Sequence, residues 1–231
     1  ALIPVLREAE APGKLFGLIS DPAVLVRRAA LLALNAAAHH QPTLVRPLFH
    51  ANDDGGLLGA LCEETRVKKE LKRVVDLGPF KHRIDDGLPL RKAAFQCVDT
   101  LLDALPEKMH VEMFMTFLID GLKDVEEVRL LCHEVLIKVA HGWPGHVISR
   151  LDELLAPGAV LHTTVFKKKK GKVAGTDLER WHDLIRSALR AVDVIGAMPG
   201  VRSTHVFHDF MVSIKDEGMV SRLYEDMHAA E

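Results

Sequence analysis

The chain has 231 residues, a formal net charge of −2, and a composition that is 48% hydrophobic but only 5% aromatic. So few aromatics direct an interior of Ala, Leu and Val, which suits closely packed helices and disfavours a β-sandwich. The near-neutral charge gives no general attraction to nucleic acid or an anionic membrane, and no apolar run is long enough to cross a bilayer, so neither is an expected partner.

The first residue is Ala rather than Met, and the chain is expected to be an excised piece of a longer protein. The first strongly periodic segment is D-P-A-V-L-V-R-R-A-A-L-L-A-L, where Asp21 is expected to cap a helix, Pro22 to fit its first turn, and Arg27 to follow six residues after the cap. The pattern recurs in D-D-G-L-P-L-R-K-A-A-F-Q-C-V, with Asp85 and Arg91, in D-V-E-E-V-R-L-L-C-H-E-V-L, with Asp124 and Arg129, and in degenerate form in D-L-I-R-S-A-L-R-A-V around Arg186. Arg91 and Arg129 are 38 residues apart, close to the roughly 40-residue period of HEAT and armadillo arrays. The intervals from Arg27 to Arg91 and from Arg129 to Arg186 are longer, and each must carry an insertion. Companion helices are expected in P-E-K-M-H-V-E-M-F-M-T-F-L-I-D-G-L and in H-V-I-S-R-L-D-E-L-L-A-P, so that the repeating unit is a helix pair. Within it, each Asp is expected to serve free helix N-H groups and each Arg to reach an acidic group of the neighbouring unit, the alternative being that Arg27, Arg91 and Arg129 form an anion-binding row.

The first insertion, residues 65 to 86, breaks the helical pattern. Val74, Val75, Phe80 and Ile84 are strand formers placed around Gly78-Pro79, with polar residues alternating between them, which predicts a β-hairpin. Its expected register pairs Val75 with His82, Arg73 with Ile84 and Asp76 with Lys81. Either Gly78 is the third residue of a turn over Asp76 to Pro79, or the Gly78-Pro79 bond is cis. A lone hairpin is marginal in water, so it either touches a partner or covers one end of the helical core as a flap. The second insertion, T-T-V-F-K-K-K-K-G-K-V-A-G-T-D, carries Lys167 to Lys170 without interleaved aromatics and reads as a solvated loop. Beyond Pro199-Gly200, short helices around residues 205 to 215 and 218 to 228 are expected to cap the array.

No constellation of an enzyme is present. Cys62, Cys97 and Cys132 form no C-x-x-C pair and are odd in number, which argues against a disulfide framework and a zinc ribbon or finger, and for a reducing compartment. Cys97 and Cys132 read as small core residues. The 13 histidines include no H-E-x-x-H: His133 and His141 are two helical turns apart, and the pairs His39-His40 and His205-His208 would need ligands from elsewhere. G-x-S-x-G, the P-loop and G-x-G-x-x-G are absent. Asp53-Asp54 and Asp85-Asp86 adjoin glycines and read as turns or caps. No catalytic residue, metal ligand or cofactor is expected.

The stretch V-D-L-G-P-F-K-H-R-I-D-D-G-L-P-L-R-K-A-A-F resembles the C-terminal region of the Cand proteins, the cullin-associated and neddylation-dissociated family, also called TATA-binding-protein-interacting proteins. The resemblance extends through V-R-R-A-A-L-L-A-L-N-A-A-A-H-H-Q-P-T-L-V-R, D-G-L-K-D, R-L-D-E-L-L-A-P and R-S-A-L-R-A-V, and thins at A-N-D-D-G-G, around the Lys run and over the last thirty or so residues. It implies an all-α HEAT-repeat α-solenoid with one inserted β-hairpin, here one module over residues 1–231 of about four helix pairs plus C-terminal capping helices. It further implies a non-enzymatic regulator of cullin-RING ubiquitin ligases, in the cytoplasm and nucleus. Such a protein binds an unneddylated cullin with its RING subunit, competes with the adaptor and substrate-receptor module at the cullin N-terminal domain, and thereby promotes exchange. An N-terminal Cand half is a further implied partner. Carried onto this chain, the hairpin surface is Lys72, Asp76, Leu77, Gly78, Pro79, Phe80, Lys81 and His82. A general HEAT scaffold for protein assembly or nuclear transport is the alternative reading.

Overall fold

The computed structural model describes residues 11–50, 56–76, 78, 81–168 and 175–229. The fold is all-α, built of HEAT-like helix pairs with one two-stranded hairpin, and divides into two compact units, residues 1–117 and 118–231.

In the first unit, α1 (Ala11–Gly17) leads to α2 (Val24–His40), the short α3 (Pro42–Val45) and α4 (Gly56–Thr65). Strands β1 (Lys72–Asp76) and β2 (Lys81–Asp85) follow, then α5 (Leu88–Ala104) and α6 (Val111–Gly121), whose last residues belong to the second unit. Helix α5 packs against both α2 and α4. The core is mostly aliphatic: Leu31 and Leu34 of α2, Leu57 and Leu61 of α4, and Val98 and Leu101 of α5, together with Phe95 of α5, are all at most 1% exposed. Each such side chain contributes roughly 1.5–3 kcal/mol on burial. At the start of α4, Gly56 has φ +57, and a Cβ there would lie 2.3 Å from the Phe49 carbonyl oxygen, so only glycine fits.

In the second unit, α7 (Glu126–Gly142) packs along α11 (Thr176–Ala197). Between them lie α8 (Pro144–Ile148), α9 (Leu151–Leu155) and α10 (Val160–Phe166); α12 (His205–Asp216) and α13 (Gly218–Ala229) close the chain. The companion helix expected in H-V-I-S-R-L-D-E-L-L-A-P is thus broken. The chain tightens at Ser149 and Arg150, where the Arg150 N-H bonds the Val147 carbonyl three residues back, and Pro157-Gly158, with Gly158 at φ +85, separates α9 from α10. The capping helices lie where expected, and Thr204 caps α12, its Oγ1 accepting the Phe207 N-H.

The repeat register has a second signature. Helices α2, α5 and α7 stop at Gln41, Leu105 and Trp143, with φ of −146, −141 and −140. In each case the next residue is a proline that opens the following helix or turn. A proline disfavours the α conformation of the residue before it, then fits the first turn of the next helix. Pro42, Pro106 and Pro144 have the same spacings, 64 and 38 residues, as Arg27, Arg91 and Arg129.

The helix starts differ from expectation. Asp21 does not cap α2; its carboxylate accepts the Ala23 N-H at 2.8 Å, in a turn that places Pro22 before the helix rather than in it. Arg27 does reach a neighbouring helix, donating to Glu64 on α4 at 3.1 and 3.3 Å. Arg91 instead turns back to Asp85 of its own repeat.

Candidate functional site: the clasped hairpin

The two strands pair antiparallel in the expected register: Arg73 faces Ile84, Val75 faces His82 and Asp76 faces Lys81, with Lys72 opposite Asp85 and Val74 opposite Arg83. Alternation then gives the ribbon two faces. On one, Val75 and Ile84 are half-buried beside Arg73 and His82; on the other, Lys72, Val74, Asp76, Lys81 and Arg83 are all exposed. Val74, at 60% exposure, is an apolar side chain in the middle of that outward face.

The base of the ribbon is fixed at both ends. At the exit, Asp85 accepts hydrogen bonds from Arg91 Nη1 at 3.2 Å, Arg91 Nη2 at 2.9 Å and the Gly87 N-H at 3.1 Å. The Arg91 side chain is wholly buried. Burial alone would raise the Asp85 pKa; the Arg91 hydrogen bonds and charge, the Gly87 N-H and Lys72 outweigh it and hold the carboxyl below its ordinary value. Asp86 closes the ladder, its N-H bonding the Leu71 carbonyl at 3.0 Å and its carboxylate holding Arg73 at 2.6 Å. Gly87 lets these groups meet: a Cβ there would lie 3.1 Å from Leu71 Cδ1 and 3.3 Å from Arg91 Nη1. At the entrance, the buried Glu64 carboxylate takes both Arg27 of α2 and Lys68, and the Arg66 guanidinium sits 4.7 Å over the Phe117 ring. Asp85 thus makes the turn the sequence suggested, its carboxylate accepting the Gly87 N-H two residues on, and is the clasp as well; it does not cap α5.

Of the eight surface residues expected, Lys72, Asp76 and Lys81 share the outward face, His82 lies on the opposite one, and Gly78 is exposed at the tip with φ +81, the left-handed conformation of a third turn residue. Leu77, Pro79 and Phe80 lie outside the described residues, as does the bond joining Gly78 to Pro79. Sequence reasoning missed Val74 and Arg83 as members of the outward face, although alternation from Lys72 and Asp76 places Val74 there.

The other candidates form no chemical site. Burial pushes the Cys62 and Cys97 thiols up to about 12 and Cys132 well above its ordinary value, so none supplies a thiolate at neutral pH. Among the described residues no group of three His, Cys, Asp or Glu could hold a metal ion. His133 is fully buried against Ser187 while His141 is exposed, so the two are not surface neighbours.

Residues 51–215 match the family model described as TATA-binding protein interacting (TIP20). The chain is 42% identical over 199 residues, 86% of its length, to cullin-associated NEDD8-dissociated protein 1 of Arabidopsis thaliana. It is 37% identical over 209 residues, 90% of its length, to cullin-associated NEDD8-dissociated protein 2 of Mus musculus. To the protein of Emericella nidulans named cullin-associated NEDD8-dissociated protein 1, C-terminal part, it is 35% identical over 140 residues, 61% of this chain and 13% of that protein. The match spans 16% of the length of each of the first two relatives. The family model covers the hairpin, its clasp and every repeat helix from α4 to α11, and this chain belongs to the TATA-binding protein interacting (TIP20) family.

Proposed function

We propose that this chain is a non-enzymatic, cullin-binding module of a regulator of cullin-RING ubiquitin ligases. In this reading its hairpin occupies the adaptor-docking site on the N-terminal domain of an unneddylated cullin, which carries its RING subunit, and so promotes exchange of adaptor and substrate-receptor modules. The relatives' names supply the cullin. The observation that carries the role of the hairpin is its construction: a ribbon clasped to the helices at its base by Arg91, with Lys72, Val74, Asp76, Lys81 and Arg83 exposed together on one face. Val75 and Ile84 turn inward, as a covering flap requires, but a flap alone gives no reason for a third apolar residue, Val74, to stand 60% exposed on the outward face.

Two ligands with overlapping surfaces weaken one another in a transient ternary complex, and the coupling is reciprocal. Exchange follows, because the hairpin weakens the adaptor as much as the adaptor weakens the hairpin. The remaining length of such a protein, its N-terminal part, holds the cullin while the hairpin competes, in the cytoplasm and the nucleus alike.

The test is adaptor release from a preformed cullin complex, followed by fluorescence transfer, with this module carried in the full-length protein. Replacing residues 72 to 82 by a short Gly-Ser turn, or Phe80→Ala, is expected to slow release while leaving cullin binding and helix content intact. Unchanged release would refute the hairpin mechanism; a collapse of thermal stability would favour the covering flap.

A further inference from the structure

The third arginine of the repeat series differs from the first two. Arg27 and Arg91 each hold a carboxylate, Glu64 at 3.1 Å and Asp85 at 2.9 Å. Arg129, at the same repeat position on α7, makes no such ion pair with any described residue, and its Nε is buried without a hydrogen-bond partner. Burial lowers its pKa more than the charges of Glu126 and Asp124 raise it, so the guanidinium is desolvated without full compensation.

Arg129 lines an open cavity of about 970 Å³ within the second unit. Its walls are the start of α7, the turn at Ala156 to Ala159, the side of α10, and Trp181 and Leu184 of α11. Lys167, on the rim, has no ion-pair partner among the described residues, while Lys168 holds Glu217 at 3.3 Å. Of the rim acids, Glu153 is held by Arg150 at 3.0 Å, and Asp124 accepts the Val125 N-H at 2.7 Å. Glu126 and Asp152 also face the opening. That mixture repels a polyphosphate yet leaves one deep cation open to a single carboxylate. Trp181 and Leu184 give that carboxylate an apolar floor beside it, and the volume suits a few residues of peptide.

We propose that this cavity binds an acidic peptide segment of a partner protein, with one carboxylate paired to Arg129 and the adjoining apolar side chain packed on Trp181 and Leu184. The site is separate from the hairpin and does not depend on the cullin reading.

The experiment uses the 231-residue chain. It is probed with an array of blocked peptides carrying a central Glu-Phe pair in varied contexts, each beside its Gln-Phe counterpart, and hits are titrated by calorimetry. Glu-Phe peptides are expected to bind and their Gln-Phe counterparts to bind about tenfold more weakly or worse, the loss typical of a charge-assisted hydrogen bond. Arg129→Gln should abolish the preference for Glu while leaving thermal stability unchanged or higher, because it removes an uncompensated cation. Trp181→Ala should weaken both peptide series and keep the Glu preference. Equal binding of Glu and Gln peptides, absence of any array hit, or binding of inositol hexakisphosphate in place of peptide would overturn the proposal. So would loss of folding in Arg129→Gln, since that would make Arg129 a structural member of the series like Arg91.

Discussion

Arg91 is 1% exposed, yet both its terminal nitrogens meet the Asp85 carboxylate, at 3.2 and 2.9 Å, so that a strand end is tied to the first turn of the helix that follows it. The pair spans only six residues and is the most buried charge on the hairpin side of the molecule. It converts an appendage, marginal in water by itself, into a ribbon with one fixed direction.

Arg91→Met should therefore destabilise the chain by about 2–3 kcal/mol, the low end of the cost of breaking a buried ion pair, because the Asp85 side chain retains some contact with solvent. Urea unfolding measures it. The double variant Arg91→Met, Asp85→Asn is expected to recover part of that loss, since it leaves no orphan carboxylate; a double variant as unstable as the sum of the singles would show that the two do not act as a pair.

The clasp also predicts acid sensitivity at the ribbon. Because the folded Asp85 pKa is depressed below its ordinary 3.8, its contribution is present above that value and disappears as pH falls below it, through the folded pKa. Amide exchange at Arg73, Val75, His82 and Ile84, whose N-H groups point into the ladder in the register set by the Asp86-to-Leu71 bond, should, once corrected for intrinsic rates, accelerate below about pH 4. Asp85→Asn should remove that pH dependence, and an unchanged acid limb in the variant would place its cause elsewhere.

His133 predicts a different window. Burial first, then the positive charges of Arg129 and Arg190, drive its pKa from 6.5 to about 3, so the ring is neutral in the folded chain while the unfolded chain takes up a proton. Its effect is nil above the unfolded value, and stability falls with acidification from about pH 6.5 to 3, at up to about 1.4 kcal/mol per pH unit. His133→Gln, which keeps a polar group toward Ser187, should flatten that slope when urea midpoints are compared at pH 7, 6, 5 and 4.

The hairpin register was legible because strand alternation and the opposed charges of Asp76 and Lys81 agree on one pairing. The repeat was legible in its arginines, and more sharply in Pro42, Pro106 and Pro144, which mark where three helices must stop. What sequence could not give was the direction of each arginine. Arg27, Arg91 and Arg129 occupy equivalent positions, yet one crosses to α4, one turns back to β2 and one faces a cavity. Those outcomes depend on acids supplied by insertions and neighbouring helices, Glu64 above all, which no local pattern announces. The broken companion helix had a visible signal in Pro157-Gly158, but its earlier break at Ser149 had none. His133 was hidden for the same reason: a polar residue on a helix is buried only by what packs over it, here α11.

A close approach of α12 to α11 at Gly196 supplies the last prediction. Gly196 lies in the last turn of α11, and a Cβ built there would stand 2.3 Å from Cζ and 2.8 Å from Cε2 of Phe207, a 7% exposed residue of α12. In a solvated helix interior, Gly→Ala gains up to about 1 kcal/mol of helix propensity. Here the ring is held by its surroundings and must be displaced, and overpacking of that kind costs about 1–3 kcal/mol. Gly196→Ala is accordingly expected to lower stability despite the better propensity. Phe207→Leu alone should also be destabilising, through lost ring burial. Combining the two should be less harmful than their sum, because the leucine leaves room for the new methyl. Thermal or urea unfolding of the three variants decides it: a Gly196→Ala chain more stable than the parent would mean that α12 yields easily, and that Phe207 does not fix α12 against α11.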